Sequence, residues 1–177
     1  MIEIGFSMYT ELLERAVTAM KLGKTPDLER PLHQGAEVDL HVPALIPNDY
    51  IPDVHERLIM YKRIASATDK NELKELQVEM IDRFGLLPTA VKTLIQVTEL
   101  KLSAAKIGIK KIDYGEEGGR ILFFEQPDID PMKIIKLIQT QSNTYKLDGN
   151  DKLRLLKPVI DVEFRIKELQ ILFDYLS

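Results

Sequence analysis

Ile109 to Phe124 reads IKKIDYGEEGGRILFF. Two runs rich in Ile, Tyr and Phe flank GEEGG, and a short glycine-rich link between such runs joins two strands as a hairpin. The pattern returns downstream. Thr144 to Leu147 and Leu153 to Leu156 flank Asp148-Gly149-Asn150-Asp151. A helix follows each pair. Asp130-Pro131 is an N-cap with proline at the first helical position, opening a helix to about Gln141. Pro158 to Leu176 carries Val162, Ile166, Leu169, Phe173 and Leu176 at helical spacing. Hairpins require antiparallel pairing, so the class is α+β and not a doubly wound parallel sheet. The predicted fold is an N-terminal helical part followed by two β-hairpins, each with a helix, giving a small antiparallel or mixed sheet packed on helices.

Upstream of the first hairpin the spacing is helical. Ser7 to Leu22 reads as a helix ended by Gly23, and 23–35 (GKTPDLERPLHQG) as a linker. Val38, Leu40 and Val42 alternate with Glu37, Asp39 and His41, the signature of a half-buried strand. Pro52 to Ala65 is a helix with Val54, Leu58, Tyr61 and Ala65 in one stripe. Asp69 to Phe84 follows, stopped by Gly85 as a left-handed cap. Pro88 to Ile107 is the next, with Val91, Leu94, Ile95, Leu102 and Ala105 inward.

The helix from Asp69 to Phe84 is the candidate functional element. Leu73, Leu76, Met80 and Phe84 fall within about 60° of one another and form its buried stripe. Glu72, Glu75, Glu79 and Asp82 fall together on roughly the opposite side, with only Arg83 beside them. Like charges at these spacings cost roughly 0.2–0.5 kcal/mol per pair. Glu72 has a structural explanation, because with Asp69 it completes a capping-box pattern. Glu75, Glu79 and Asp82 have no local one. An acidic face of this kind is either simply solvated or a docking surface for a basic partner.

The totals exclude several function classes. The chain has 177 residues, enough for one domain and a sizeable core, with net charge −4. That balance argues against a broad duplex-binding surface. There is no cysteine, so thiolate metal sites and disulfides are absent. No apolar run approaches the ~20 residues needed to span a bilayer, and the N-terminus lacks a signal-peptide pattern, so a cytoplasmic protein is the expectation. GEEGGR lacks the Lys-Ser/Thr of a phosphate-cradling loop. His33, His41 and His55 have no ligand spacing, and the latter two read as ordinary surface groups. Tyr61-Lys62-Arg63 and Lys106, Lys110 and Lys111 read as incidental surface basicity. No substrate-sized pocket with two convergent acids is expected.

Six stretches, in order, resemble one family: GFSMYTELLERAV, PALIPNDYIPDVHERL, YKRIASA, EMIDRFGLLP, AAKIGIKKID and YKLDG. Together they look like the C-terminal region of bacterial transcription-repair coupling factors, over nearly the whole chain. The resemblance implies that 1–30 is the C-terminal helix of a preceding motor module plus linker, and 31–177 a C-terminal regulatory domain. It implies that ATP is used by the motor upstream, with no cofactor in this chain. It also implies partners: RNA polymerase, UvrA and double-stranded DNA for the parent protein. For the domain itself the implied partner is the N-terminal UvrA-binding module of the same polypeptide, masked by an autoinhibitory contact. Glu79 and Asp82 are then the residues expected to meet arginines of that module, with Glu75 and Arg83 as further candidates. The fragment is expected to be non-catalytic and monomeric, without a membrane contact. The alternatives are a direct DNA or RNA-polymerase contact module, and a small hydrolase built on the surplus carboxylates.

Overall fold

The computed structural model describes residues 36–177. The helix expected over Ser7 to Leu22, the linker, His33 and the boundary at 30/31 lie outside the described residues. Ten elements follow one another: β1 Glu37–Asp39, α1 Val54–Ser66, α2 Lys70–Phe84, α3 Thr89–Lys106, β2 Ile109–Gly115, β3 Gly118–Phe123, α4 Pro131–Thr140, β4 Tyr145–Asp148, β5 Lys152–Leu155 and α5 Val162–Leu176. The class is α+β, as the paired hairpins require. By contacts, the described chain divides into two compact units, Ala44–Ile95 and 36–43 with Gln96–Ser177.

The first unit holds α1, α2 and the start of α3. Each of α1 and α2 begins at an aspartate cap: Asp53 accepts from the His55 amide and Asp69 from the Glu72 amide. The Glu72 carboxylate returns not to the cap residue but to Thr68, accepting from its amide at 2.9 Å and its hydroxyl at 3.1 Å. Leu73, Leu76 and Met80 are buried as predicted, and Phe84 is half-buried. The buried stripe of α1 is rotated from the predicted one. Met60 and Ile64 are buried, whereas Val54 is 59% exposed and Ala65 is exposed. Gly85 ends α2 with φ 94° and ψ −170°, a glycine-only region that is not the predicted left-handed cap. Tyr50 secures that end with its single hydroxyl proton, shared between the carbonyls of Gly85 at 2.9 Å and Met80 at 3.1 Å.

In the second unit the strand order is β1-β2-β3-β5-β4. β1 joins β2 in parallel and all other pairs are antiparallel, so the sheet is mixed. The first hairpin closes Gly115 opposite Gly118 around Glu116 and Glu117. Both glutamates keep negative φ. The turn is completed by Gly118 at φ 130°, where a β-carbon would stand 2.5 Å from the Leu155 carbonyl oxygen. A bulge at Lys110, between the pairs at Ile109 and Lys111, breaks the alternation of IKKID. It lets Ile109, Ile112 and Tyr114 all be buried.

Val97, Leu100 and Ala104 of α3, Leu137 of α4 and Ile166, Leu169, Leu172, Phe173 and Leu176 of α5 complete that core. Ala105, predicted inward, is exposed. β1 stops at Asp39, short of the predicted Val42, because His41 takes φ 59° and its amide donates to Asp39 at 2.9 Å. His41 is not an ordinary surface group: its Nε2 pairs with Asp113 of β2. That bond holds the imidazole pKa above its usual value.

Candidate functional site: the acidic face of helix α2

The acids of α2 divide into two sets. A step of three residues turns the helix by about 60° short of a full circle, so Glu79 and Asp82 do not point the same way. Glu79 leans toward α1, which packs on α2. There the Arg63 guanidinium grips it with both nitrogens, Nη1 to Oε2 and Nη2 to Oε1 at 3.2 Å. Arg83 stands 3.6 Å from the same carboxylate and donates to Glu56 of α1 at 3.2 Å. Its guanidinium also lies 4.7 Å over the Phe84 ring. The row Glu56, Arg83, Glu79, Arg63 is therefore a neutral clasp between the two helices. The Arg63 bonds, foremost, hold the Glu79 carboxyl below the usual carboxylate range.

Glu79 thus has a local partner that its own helix did not reveal. Arg63 is sixteen positions earlier, beyond any i,i+4 rule. Placing the α1 stripe on Met60 and Ile64 would have put Arg63 at its edge, toward the next helix. The triplet Tyr61-Lys62-Arg63 is accordingly not all incidental basicity.

Glu75 and Asp82 behave differently. Both are exposed, and among the described residues neither has an ion-pair or hydrogen-bond partner. Between them on the outermost line of the helix lies Val78, 68% exposed. Leu86, just past the helix end, is 87% exposed. The outward face is thus two unpaired carboxylates framing aliphatic surface. An apolar centre with a charged rim is the composition of a protein interface and not of an active site.

His55 is exposed and uses its amide to bond the Asp53 cap. Asp39, His41 and Asp113, in the second unit, are close enough to hold one cation. Their hydrogen bonds to one another already account for the arrangement. No helix among the described residues is long and apolar enough to cross a membrane.

A family model described as the TRCF domain matches residues 40–134, more than half of the chain. The transcription-repair-coupling factor of Escherichia coli K12 is 48% identical over 164 residues, which take in 93% of this chain and 14% of that protein. That of Haemophilus influenzae is likewise 48% identical over 164 residues, with 93% and 14% covered. A crystal structure of the C-terminal domain of transcription-repair coupling factor superposes with a TM-score of 0.69. It covers 82% of this chain and 94% of its own at 22% identity, a likeness of fold. The chain spans about one seventh of the length of the two sequence relatives.

Proposed function

The chain belongs to the TRCF domain family, and from that premise we propose that it is a non-catalytic regulatory domain of a transcription-repair coupling factor. The parent is an ATP-driven DNA translocase that removes stalled RNA polymerase and recruits UvrA in the cytoplasm. The domain docks by the outward face of α2 on the UvrA-binding N-terminal module of the same polypeptide and masks it. The observation that carries this reading is the pair Glu75 and Asp82, unpaired among the described residues and framing an exposed valine.

Asp82 meets an arginine of the masked module directly. Glu79 takes part while remaining in its clasp, because a carboxylate accepts several hydrogen bonds and this side chain is 38% exposed. Arg83 and Glu75 border the contact. Exposed ion pairs are worth about 0.2–1 kcal/mol each, so the mask is held loosely enough to open when the motor engages its target.

The test is Glu79→Ala with Asp82→Ala in the full-length protein. Basal UvrA binding and ATPase activity should both rise. If neither moves, the docking face is wrong. Glu75→Ala should add to the effect, since it removes the remaining outward carboxylate.

A further inference from the structure

A groove of about 500 Å³ lies in the second unit, remote in sequence from α2, where the sheet meets the link between β3 and α4. It has an apolar floor and acidic walls, and it was not anticipated from sequence. Phe124, Pro127, Ile134 and Leu147 supply the floor, Glu125 and Asp151 the walls. Sheet register explains why apolar surface is left open here. Val38, Ile112, Ile121 and Leu153 lie opposite one another across four strands, and the last three are fully buried. Leu147 of edge strand β4 is the next member of that row, on the same face. It is 41% exposed, and Phe124 beside the groove is 42% exposed. The helical cover reaches β4 at Tyr145, which is buried, but leaves Leu147 at the other end of that strand partly open.

The walls are fixed. The Phe123 amide donates to the Asp151 carbonyl at 2.8 Å, and the Phe124 amide to the Gly108 carbonyl at 2.9 Å. Pro127 is pressed onto Gly108, with its Cα 2.6 Å from where a side chain there would begin. Such a groove needs little ordering to receive a ligand. Its charge selects one. No Lys, Arg or His lines it, and among the described residues neither Glu125 nor Asp151 has an ion-pair partner. Phosphate backbones and acidic segments are repelled. Two acids lining one ligand-sized groove are an arrangement not expected from the sequence.

We propose that this groove docks a polypeptide segment in which an aliphatic or aromatic anchor stands next to Lys or Arg. The anchor covers Leu147 and Phe124, continuing the core row to the sheet edge. The cation sits between Glu125 and Asp151. The volume is that of an ordinary ligand pocket and accepts one or two large side chains. The site is independent of the α2 face.

The probe is a pair of blocked pentapeptides titrated into the isotopically labelled 177-residue chain and followed by amide NMR. One is Arg-Leu-Arg-Phe-Lys and the other Glu-Leu-Glu-Phe-Glu, with the same anchors. The basic peptide should give saturable shifts confined to 124–127, 134 and 147–151, and bind at least ten-fold more tightly than the acidic one. Leu147→Asn and Glu125→Lys, both at exposed positions, should each weaken it five-fold or more with the rest of the spectrum unchanged. Shifts that do not saturate, that fall elsewhere, or that are equal for the two peptides would overturn the proposal. So would equal saturation by arginine amide alone, which would make the groove a small-cation site.

Discussion

Arg165 Nη2 donates to the Leu40 carbonyl at 3.0 Å, joining the start of α5 to the residue that follows β1. The side chain is 1% exposed. Its other nitrogen, Nη1, reaches the carbonyls of Val159 at 2.8 Å and Ile160 at 3.2 Å. The Nε proton has no partner among the described residues. A buried cation here is held by backbone carbonyls and not by a carboxylate. It is the fastener of the parallel strand.

Arg165→Met should lower the stability of the second unit by about 2–4 kcal/mol, since it leaves three inward-facing carbonyls short of a donor. Arg165→Lys should recover only part, because an ammonium cannot fork to two separate segments. Urea unfolding of both variants measures this. A loss under 1 kcal/mol for the methionine variant would show that the carbonyls find water instead.

The clasp on Glu79 should be worth little in stability and much in salt dependence. A double-mutant cycle of Arg63→Ala and Glu79→Ala should give about 0.5–1 kcal/mol of coupling, falling toward zero in 1 M salt, as for exposed pairs. Because the folded carboxyl titrates below its ordinary value, its contribution is present above about pH 4.3, the unfolded value, and fades as pH falls through the folded one. Stability of wild type and Glu79→Gln, compared from pH 6 down to pH 3, should converge.

His41 behaves with the opposite sign. The Asp113 bond raises its pKa first of all, Asp39 adds to that, and burial and Arg165 work against it. The stability it contributes is full below about pH 6.5 and is lost as pH climbs through the raised folded value. An NMR titration should place the His41 midpoint above 6.5, and Asp113→Asn should bring it down toward that figure. An unchanged midpoint in the variant would mean that Asp113 is not its partner in solution.

Gly118→Ala should destabilise the first hairpin by more than 1 kcal/mol, from the forbidden φ of 130° and the 2.5 Å approach to the Leu155 oxygen. Circular dichroism melting at pH 7 measures it. The neighbouring turn substitution Glu117→Ala is the control and should be nearly neutral.

Elements whose spacing is local were legible in the sequence. Both hairpins, the helices capped by Asp69 and Asp130 and the buried stripe of α2 follow from turn residues, caps and a 3.6-residue period, whereas α1 and α5 start at the Asp53 and Asp161 caps and not at Pro52 and Pro158. The α1 stripe was misplaced because Leu58 and Tyr61 are only half-buried while Met60 and Ile64 occupy the true centre. What a helical wheel cannot contain is anything supplied by another element. Arg63 on Glu79, Asp113 on His41 and the Leu40 carbonyl on Arg165 come from distant positions, and the Val159 and Ile160 carbonyls from the loop that precedes the helix. An isolated arginine in an amphipathic helix looks like surface, and only the loop carbonyls folded around Arg165 make it core. The parallel pairing of β1 was unreadable for the same reason: alternation gives a strand's faces and not its neighbour.

That parallel edge has a consequence in time. On the ribosome β1 is finished before α1 and α2, and the strand it must pair with comes only after both. The 36–43 segment therefore waits unpaired while a complete helical unit is synthesised behind it. Its docking comes late in folding, after β2 has emerged, and the Arg165 latch that secures it comes later still, with α5.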